Sequence, residues 1–395
     1  MVKERSPFTP GRPVPVEFFV GRSPEIERML RSVVQVSSGK QENIFLTGER
    51  GIGKSSLAAF VRYLAEKDHG FLGVHAYMGG VNTVEELVRK TFERLLQESI
   101  DKPFFEKIRS FFGNHIKQVG LFGVSVQFEM DSRELNNAVN NFVPALDRLA
   151  EKVRDDKRGL LLILDDINGV TDKPGFAHFL KSTVDEIATR QKSLPLLILL
   201  AGVPERRDEM IRHQESITRI FDVIEIKPFD RQETEEFYAT TFKSEGISVD
   251  SDALELLCRY SGGLPMLLHE VGDAVFWADT DNHITTQDAT AGIIQAADIV
   301  GRKHLDRQVY RAIHSDRYRS ILQKIVKPDL KMRFVRKDIA KRLTEDEKGA
   351  LDNFLTRMKG LGVVRSGEHP GEYIFVNDLF RLYMALESVS RANTG

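Results

Sequence analysis

Cysteine is almost absent from this chain. Cys258 is the single one in 395 residues, so no intrachain disulfide can form and no metal site can rest on thiolates. Long apolar runs are missing too. The longest, residues 160–164 and 196–201, have the length of strands and fall well short of the ~18 residues a membrane span needs. The first seven residues, Met1-Val2-Lys3-Glu4-Arg5-Ser6-Pro7, lack the apolar centre of a signal peptide. These absences lead us to expect a cytoplasmic protein without a membrane partner. Cys258 sits in the apolar pattern of Leu254, Leu256 and Leu257 and is expected to be buried.

What remains is ordinary for a globular protein: 41% hydrophobic and 29% charged residues, in a length suited to two or three domains. The formal charge of -2 hides an asymmetry. Residues 301–395 carry 20 Lys and Arg against 12 Asp and Glu, leaving 36 against 46 in residues 1–300. A basic final third on an acidic body implies an anionic partner for that third, or contact between the two parts. An excess of this size is weak evidence for nucleic acid.

Gly48-Glu49-Arg50-Gly51-Ile52-Gly53-Lys54-Ser55 fills every position of the pattern G-x-x-x-x-G-K-S. An apolar run, residues 43–47, precedes it and reads as a buried strand. A helical apolar pattern follows from Ser56. Strand, glycine loop and helix are the setting in which backbone N–H groups wrap a polyphosphate at a helix N-terminus. Lys54 would reach the β- and γ-phosphates, and Ser55 would ligate Mg²⁺. The alternative is a chance glycine turn before a helix, which eight filled positions in the right setting make a poor account.

The second signal is Leu160-Leu161-Leu162-Ile163-Leu164-Asp165-Asp166. Five apolar residues in a row read as a strand buried on both faces, with carboxylates at the end where open α/β sheets bind ligands. This is the Walker B pattern: Asp165 would hold Mg²⁺ through water, and Asp166 would orient or deprotonate the attacking water. Alone the pattern is common; downstream of the glycine loop it gains weight.

Around these motifs the chain alternates strands and helices. A proline-rich arm (8–15) leads to Val20-Gly21-Arg22 and a helix, for which Ser23 is read as N-cap with Pro24 at the first helical position. Strands are expected at 71–77, 159–165, 196–202 and 223–226 beside the P-loop strand, making a five-stranded parallel sheet. A long insertion, about 80–157, holds helices at 83–97, 102–112 and 135–153 and an alternating stretch at 121–129. It is either a partner-binding elaboration or an embellishment that pads the fold. Four capped helices follow in 230–300, then helices at 318–326, 336–343 and 345–358 and a hairpin at 362–376, the order of a winged helix. The expected fold class is thus α/β: a P-loop core over 1–228, an α-helical lid over 229–300 and a winged-helix domain over 301–395.

Phe19-Val20-Gly21-Arg22 with Glu25, GERGIGKSS at 48–56, LLILDD at 161–166 and Ser261-Gly262-Gly263-Leu264-Pro265 resemble the origin-recognition-like and STAND branches of AAA+ ATPases. The closing Phe375-Val376-Asn377-Asp378-Leu379-Phe380-Arg381-Leu382-Tyr383 is similar to archaeal-type ATPases of that grouping. The resemblance covers most of the chain outside the insertion. It implies that Val20, Gly21 and Arg22 contact the adenine and ribose side, that residues 48–56 including Ser56 line the nucleotide, and that Pro265 packs on the base. It also implies an arginine finger for a neighbouring subunit, a position Arg219 fills; a surface Arg paired with an acid is the other reading. Two departures stand out. The strand at 196–201 ends in Ala201-Gly202 with no polar sensor, and no arginine follows Pro265 in Met266-Leu267-Leu268-His269.

Both departures suit a slow switch better than a replication initiator. The expectation is an ATPase using ATP and Mg²⁺, changing conformation or assembly to act on a protein partner. The alternative is a DNA-binding loader gripping a backbone through Arg333, Arg336, Lys337, Lys341 and Arg342. Its candidate recognition helix, however, opens with Glu345-Asp346-Glu347, which repels phosphate. A scaffold that holds nucleotide without turnover would have no use for intact Asp165 and Asp166.

Overall fold

The computed structural model describes residues 3–113, 116–119, 126–128, 132–303, 316–326 and 332–392. The chain forms two compact units, one of Pro13–Lys227 and one of Met1–Arg12 with Pro228–Gly395.

In the first unit α1 (Ser23–Ser37) leads into β1 (Glu42–Thr47), α2 (Lys54–His69) and β2 (Phe71–Tyr77). The insertion contributes α3 (Val84–Ser99), α4 (Phe105–Phe112), β3 (Ile116–Val119), β4 (Val126–Phe128), α5 (Ser132–Asn140) and α6 (Phe142–Val153). Then come β5 (Gly159–Asp165), α7 (Pro174–Ala188), β6 (Leu196–Gly202), α8 (Pro204–His213), α9 (Ile217–Ile220) and β7 (Asp222–Glu225). Five strands form one sheet in the order β2-β5-β6-β1-β7, every pairing parallel. β5 and β6 are buried along their whole length, as strands made only of Leu, Ile, Ala and Gly before the final Asp165 must be.

The parallel arrangement puts the ends of β1 and β5 on one edge of the sheet. Thr47 pairs with Gly202, and Asp165 with the preceding Ala201, across the single strand β6. Two strand spacings therefore separate the end of β1 from Asp165, about 10 Å. The glycine loop and the paired aspartates open on the same crevice.

The insertion is no loose appendage. Phe92, Leu96, Phe112, Phe142 and Leu146 belong to the same buried cluster as Phe45, Leu72 and Leu162 of the sheet. Its expected long helix at 135–153 is instead two, broken at Asn141. Pro144 explains the break, because it has no N–H to continue the ladder and its ring crowds the carbonyl four residues back. The helix expected from 102 starts at Phe105. Of the alternating stretch at 121–129, residues 126–128 form β4, which pairs antiparallel with β3; 121–125 and 129 lie outside the described residues.

In the second unit α10 (Arg231–Ser244), β8 (Ser248–Val249), α11 (Ser251–Ser261), α12 (Pro265–Ala278), β9 (His283–Ile284) and α13 (Thr286–Val300) make up the helical region expected as a lid. Two of the four expected caps, Asp230 with Glu233 and Thr285 with Asp288, are complete capping boxes. α14 (Asp316–Val326), β10 (Arg333–Val335), α15 (Arg336–Ala340), α16 (Glu345–Gly360), β11 (Val364–Ser366), β12 (Glu372–Phe375) and α17 (Asp378–Ala392) complete the unit, helices followed by a hairpin as the sequence order implied. Its sheet has the order β10-β12-β11, antiparallel throughout. The end of α13 packs closely on α17: a Cβ on Gly301 would lie 2.2 Å from the Tyr383 ring. Of the basic final third, residues 304–315, 327–331 and 393–395 lie outside the described residues. Cys258, expected to be buried, is half-exposed. No helix among the described residues is long and apolar enough to cross a membrane.

Candidate nucleotide site

The loop between β1 and α2 turns on glycine. Gly48, Gly51 and Gly53 all have positive φ, at 154°, 77° and 94°. At Gly48 a Cβ would also meet the Ile226 carbonyl at 2.8 Å, so the position excludes any side chain. α2 begins at Lys54 without a side-chain cap. Its first intrahelical bond runs from the Leu57 N–H to the Gly53 carbonyl. Among the described residues the backbone N–H groups of Gly51, Gly53, Lys54, Ser55 and Ser56 find no backbone acceptor. A row of orphan donors at the positive end of a 16-residue helix is an anion cradle.

Lys54 Nζ donates to the carbonyls of Gly48, at 2.7 Å, and Glu49, at 2.8 Å. Burial pulls its pKa below the usual lysine value. Asp165 and Asp166 oppose that shift, and Arg50 adds to it. Glu205, at the start of α8, also favours the charged form. The ammonium thus lies in the field of both Walker B carboxylates, as the spacing of β1 and β5 requires.

Asp165 is 3% exposed and accepts a hydrogen bond at its Oδ2 from Nε2 of the equally buried His75, 3.0 Å away on β2. Sequence reasoning missed His75. The signal was one imidazole in the otherwise apolar run Phe71-Leu72-Gly73-Val74, stacked on Tyr77 with centroids 4.5 Å apart. Asp166, by contrast, is exposed and adopts the left-handed conformation at φ 57°, unusual for a residue other than glycine. Its Oδ1 accepts from Asn168 Nδ2, and its Oδ2 lies beside Gly79, where a Cβ would approach to 3.0 Å. The strand end therefore aims one carboxylate inward and the next outward.

The remaining sequence candidates spread differently. Arg22, 5% exposed, holds φ 65° and is itself the N-cap of α1, so Ser23 is the first helical residue and Pro24 the second. The Ile26 N–H bonds the Arg22 carbonyl; Gly21, also at positive φ, lets the chain enter that turn. The Arg22 guanidinium reaches the Ile52 carbonyl of the glycine loop at 3.5 Å and Glu25 at 3.7 Å. Ser55 is half-buried and its hydroxyl makes no hydrogen bond among the described residues. Ser56 is buried, and its Oγ accepts from the Val14 N–H at 3.1 Å, turned toward the arm.

Arg219 lies exposed on α9, directly before β7, and forms no ion pair among the described residues. Pro265 opens α12 in the lid unit. There the Gly263 carbonyl accepts from the Phe229 N–H, and a Cβ on Gly263 would come within 2.1 Å of the Phe229 carbonyl.

Residues 19–210 match the AAA ATPase domain family. These residues are an AAA ATPase domain. In fold the chain resembles the ORC2 protein of Aeropyrum pernix, solved as ADPNP–ADP complexes, with a TM-score of 0.59 and 13% identity over 98% of this chain and 96% of that one. A Walker-type ATPase of Pyrococcus abyssi is similar over 93% of this chain and 96% of its own, with a TM-score of 0.53 and 18% identity. No curated protein matches in sequence. The fold is similar to that of these two proteins, and the AAA domain is a P-loop ATPase domain that binds nucleotide.

The donor set also fits a divalent cation. One hydroxyl at Ser55 and one carboxylate at Asp165 are the hard oxygen ligands Mg²⁺ takes, with water and phosphate oxygens completing its shell. Among the described residues no group of three or more His, Cys, Asp or Glu gathers into a richer metal site. This is the sparse protein contribution a P-loop magnesium needs.

Proposed function

We propose that this protein is a slow, STAND-like ATPase switch that binds and hydrolyses ATP in the cytoplasm and acts on a protein partner through its lid and winged helix. One observation carries the reading: a helix N-terminus with five backbone N–H groups lacking backbone acceptors among the described residues, whose Lys54 ammonium lies in the field of the Asp165–Asp166 pair.

In this reading the amides of residues 48–55 and Lys54 bind the phosphates, while Val20, Gly21 and Arg22 lie to the base and ribose side with Pro265 packing on the base. Ser55 and Asp165 would hold magnesium, which when bound would neutralise phosphate charge. Asp166 orients or deprotonates the attacking water through Oδ2, which lies beside Gly79, while Asn168 occupies Oδ1. Arg219, exposed and without an ion pair among the described residues, serves the γ-phosphate of a neighbouring copy.

The winged helix favours a protein partner over DNA. Arg336 is bidentate to Asp352, Lys341 pairs with Asp338, and Arg333 lies within 4.0 Å of Glu372 and Glu368. Cations already matched by neighbouring acids release fewer counterions on meeting a phosphate backbone. The test is a pull-down with the Asp166→Asn variant in ATP, beside a salt titration of duplex DNA binding. Nucleotide-dependent protein capture with no salt-dependent DNA binding supports the switch. DNA binding that a Lys337→Glu/Arg342→Glu pair abolishes supports the loader instead.

A further inference from the structure

The chain passes between its two units twice, at Lys227–Pro228 and at Arg12–Pro13. The second crossing is made by the N-terminal arm, and both of its ends are fastened.

On the lid side the fastening is a plug. Phe8 is 3% exposed and lies against Gly272 of α12, where a Cβ would come within 2.2 Å of its ring. Rings of Phe237, Tyr238, Phe242 and His269 surround it at centroid distances of 5.0 to 6.3 Å. The Thr9 N–H donates to His269 Nδ1 at 3.2 Å. Lys3 Nζ donates to the Phe276 and Asp279 carbonyls and to Asp279 Oδ2, and sits 4.6 Å from the centroid of the Phe276 ring. Burial of an aromatic side chain is strongly favourable, so residues 3–9 belong to the lid.

On the core side the Val14 N–H is held by Ser56 Oγ in the first turn of α2, and Phe19 stacks on Phe60 of the same helix at 4.6 Å.

Between the fastenings lies Thr9-Pro10-Gly11-Arg12-Pro13. The Arg12 N–H donates to the Thr9 carbonyl, and Gly11 has φ 69°. Proline followed by a glycine of positive φ defines a type II turn. The turn keeps Thr9 and Arg12 within about 7 Å, whereas the same residues drawn straight span about 10 Å. The whole stretch from Thr9 to Val14 cannot exceed about 18 Å.

We propose that the N-terminal arm is a length-limited strap, fixed in the lid by Phe8 and on the P-loop helix by Val14, whose Thr9–Arg12 turn holds the slack that sets how far the lid unit can move. The strap fastens one residue beyond Ser55, so displacement of the lid is drawn on the first turn of the helix that opens the glycine loop. This coupling is mechanical and goes beyond the proposed switch, since the limit on lid travel holds with or without nucleotide.

The test is single-molecule energy transfer between dyes at Ser37→Cys and Ser251→Cys in a Cys258→Ser background, in buffer without nucleotide. A Gly-Ser insertion of about eight residues after Gly11 adds about 16 Å of reach. We expect it to broaden the distance distribution about two-fold; Phe8→Ala, which frees the lid end, should do the same. An unchanged distribution in the insertion variant overturns the proposal, because that insertion leaves both fastenings and the cores intact. Titration with mant-ADP on the same samples keeps the two readings apart. Loss of nucleotide binding in the unmodified chain would count against the switch, and an unaltered distance distribution against the strap.

Discussion

His75 and Asp165 face each other across two parallel strands, both buried, joined by one hydrogen bond of 3.0 Å. A carboxylate sealed from water needs a donor, and the imidazole supplies it while leaving the second oxygen of Asp165 for other work. His75→Ala should cost about 1–3 kcal/mol in denaturant melts by orphaning a buried acceptor. It should also reduce the gain in ADP affinity that Mg²⁺ confers, with His75→Gln restoring part of it. Equal Mg²⁺ dependence in all three proteins would show that His75 does not position Asp165.

Asp166 is exposed and strained where Asp165 is buried and relaxed, so the two should separate by substitution. Asp166→Asn should bind ATP as well as the parent and lose roughly 10²–10⁴-fold in turnover, the usual contribution of a general base. Unchanged phosphate release would remove Asp166 from that role.

In the lid, Gly263 has φ 71° and a Cβ there would stand 2.1 Å from the Phe229 carbonyl. Gly263→Ala should destabilise the protein by about 2 kcal/mol or more, combining backbone strain with a backbone clash. A thermal melt matching the parent would contradict the close approach.

Burial lowers the His269 pKa from 6.5 to about 4, and its Nδ1 accepts the Thr9 N–H. An imidazole harder to protonate when folded contributes stability that is intact above pH 6.5 and lost as pH falls through 4. The loss amounts to at most about 3 kcal/mol. His269→Gln keeps an acceptor without the titration, so its stability should decline less between pH 6.5 and 4. Parallel pH profiles would exclude His269 as the cause.

The sheet and both Walker motifs were legible because each is local. An apolar run ending in Asp and a glycine loop opening a helix state their own geometry, and capping boxes such as Asp230 with Glu233 mark helix starts within four residues. The helix break at Asn141 was readable from Pro144 but outweighed by a continuous amphipathic pattern. His75 was not legible as a partner of Asp165, since 90 residues separate them and only strand order makes them neighbours. The docking of Phe8 likewise depends on Gly272, a glycine inside a helix whose reason is visible only once the arm lies on it. β10 escaped notice because three residues, Arg333-Phe334-Val335, carry too little alternation to read as a strand.

The central claim is that the amides of residues 48–55 and Lys54 bind a triphosphate. Calorimetric titration of ATP with Mg²⁺ into the parent protein and into Lys54→Ala tests it most directly. The account predicts saturable one-site binding in the parent and none in the variant. Equal heats in both, or none in the parent, would contradict it.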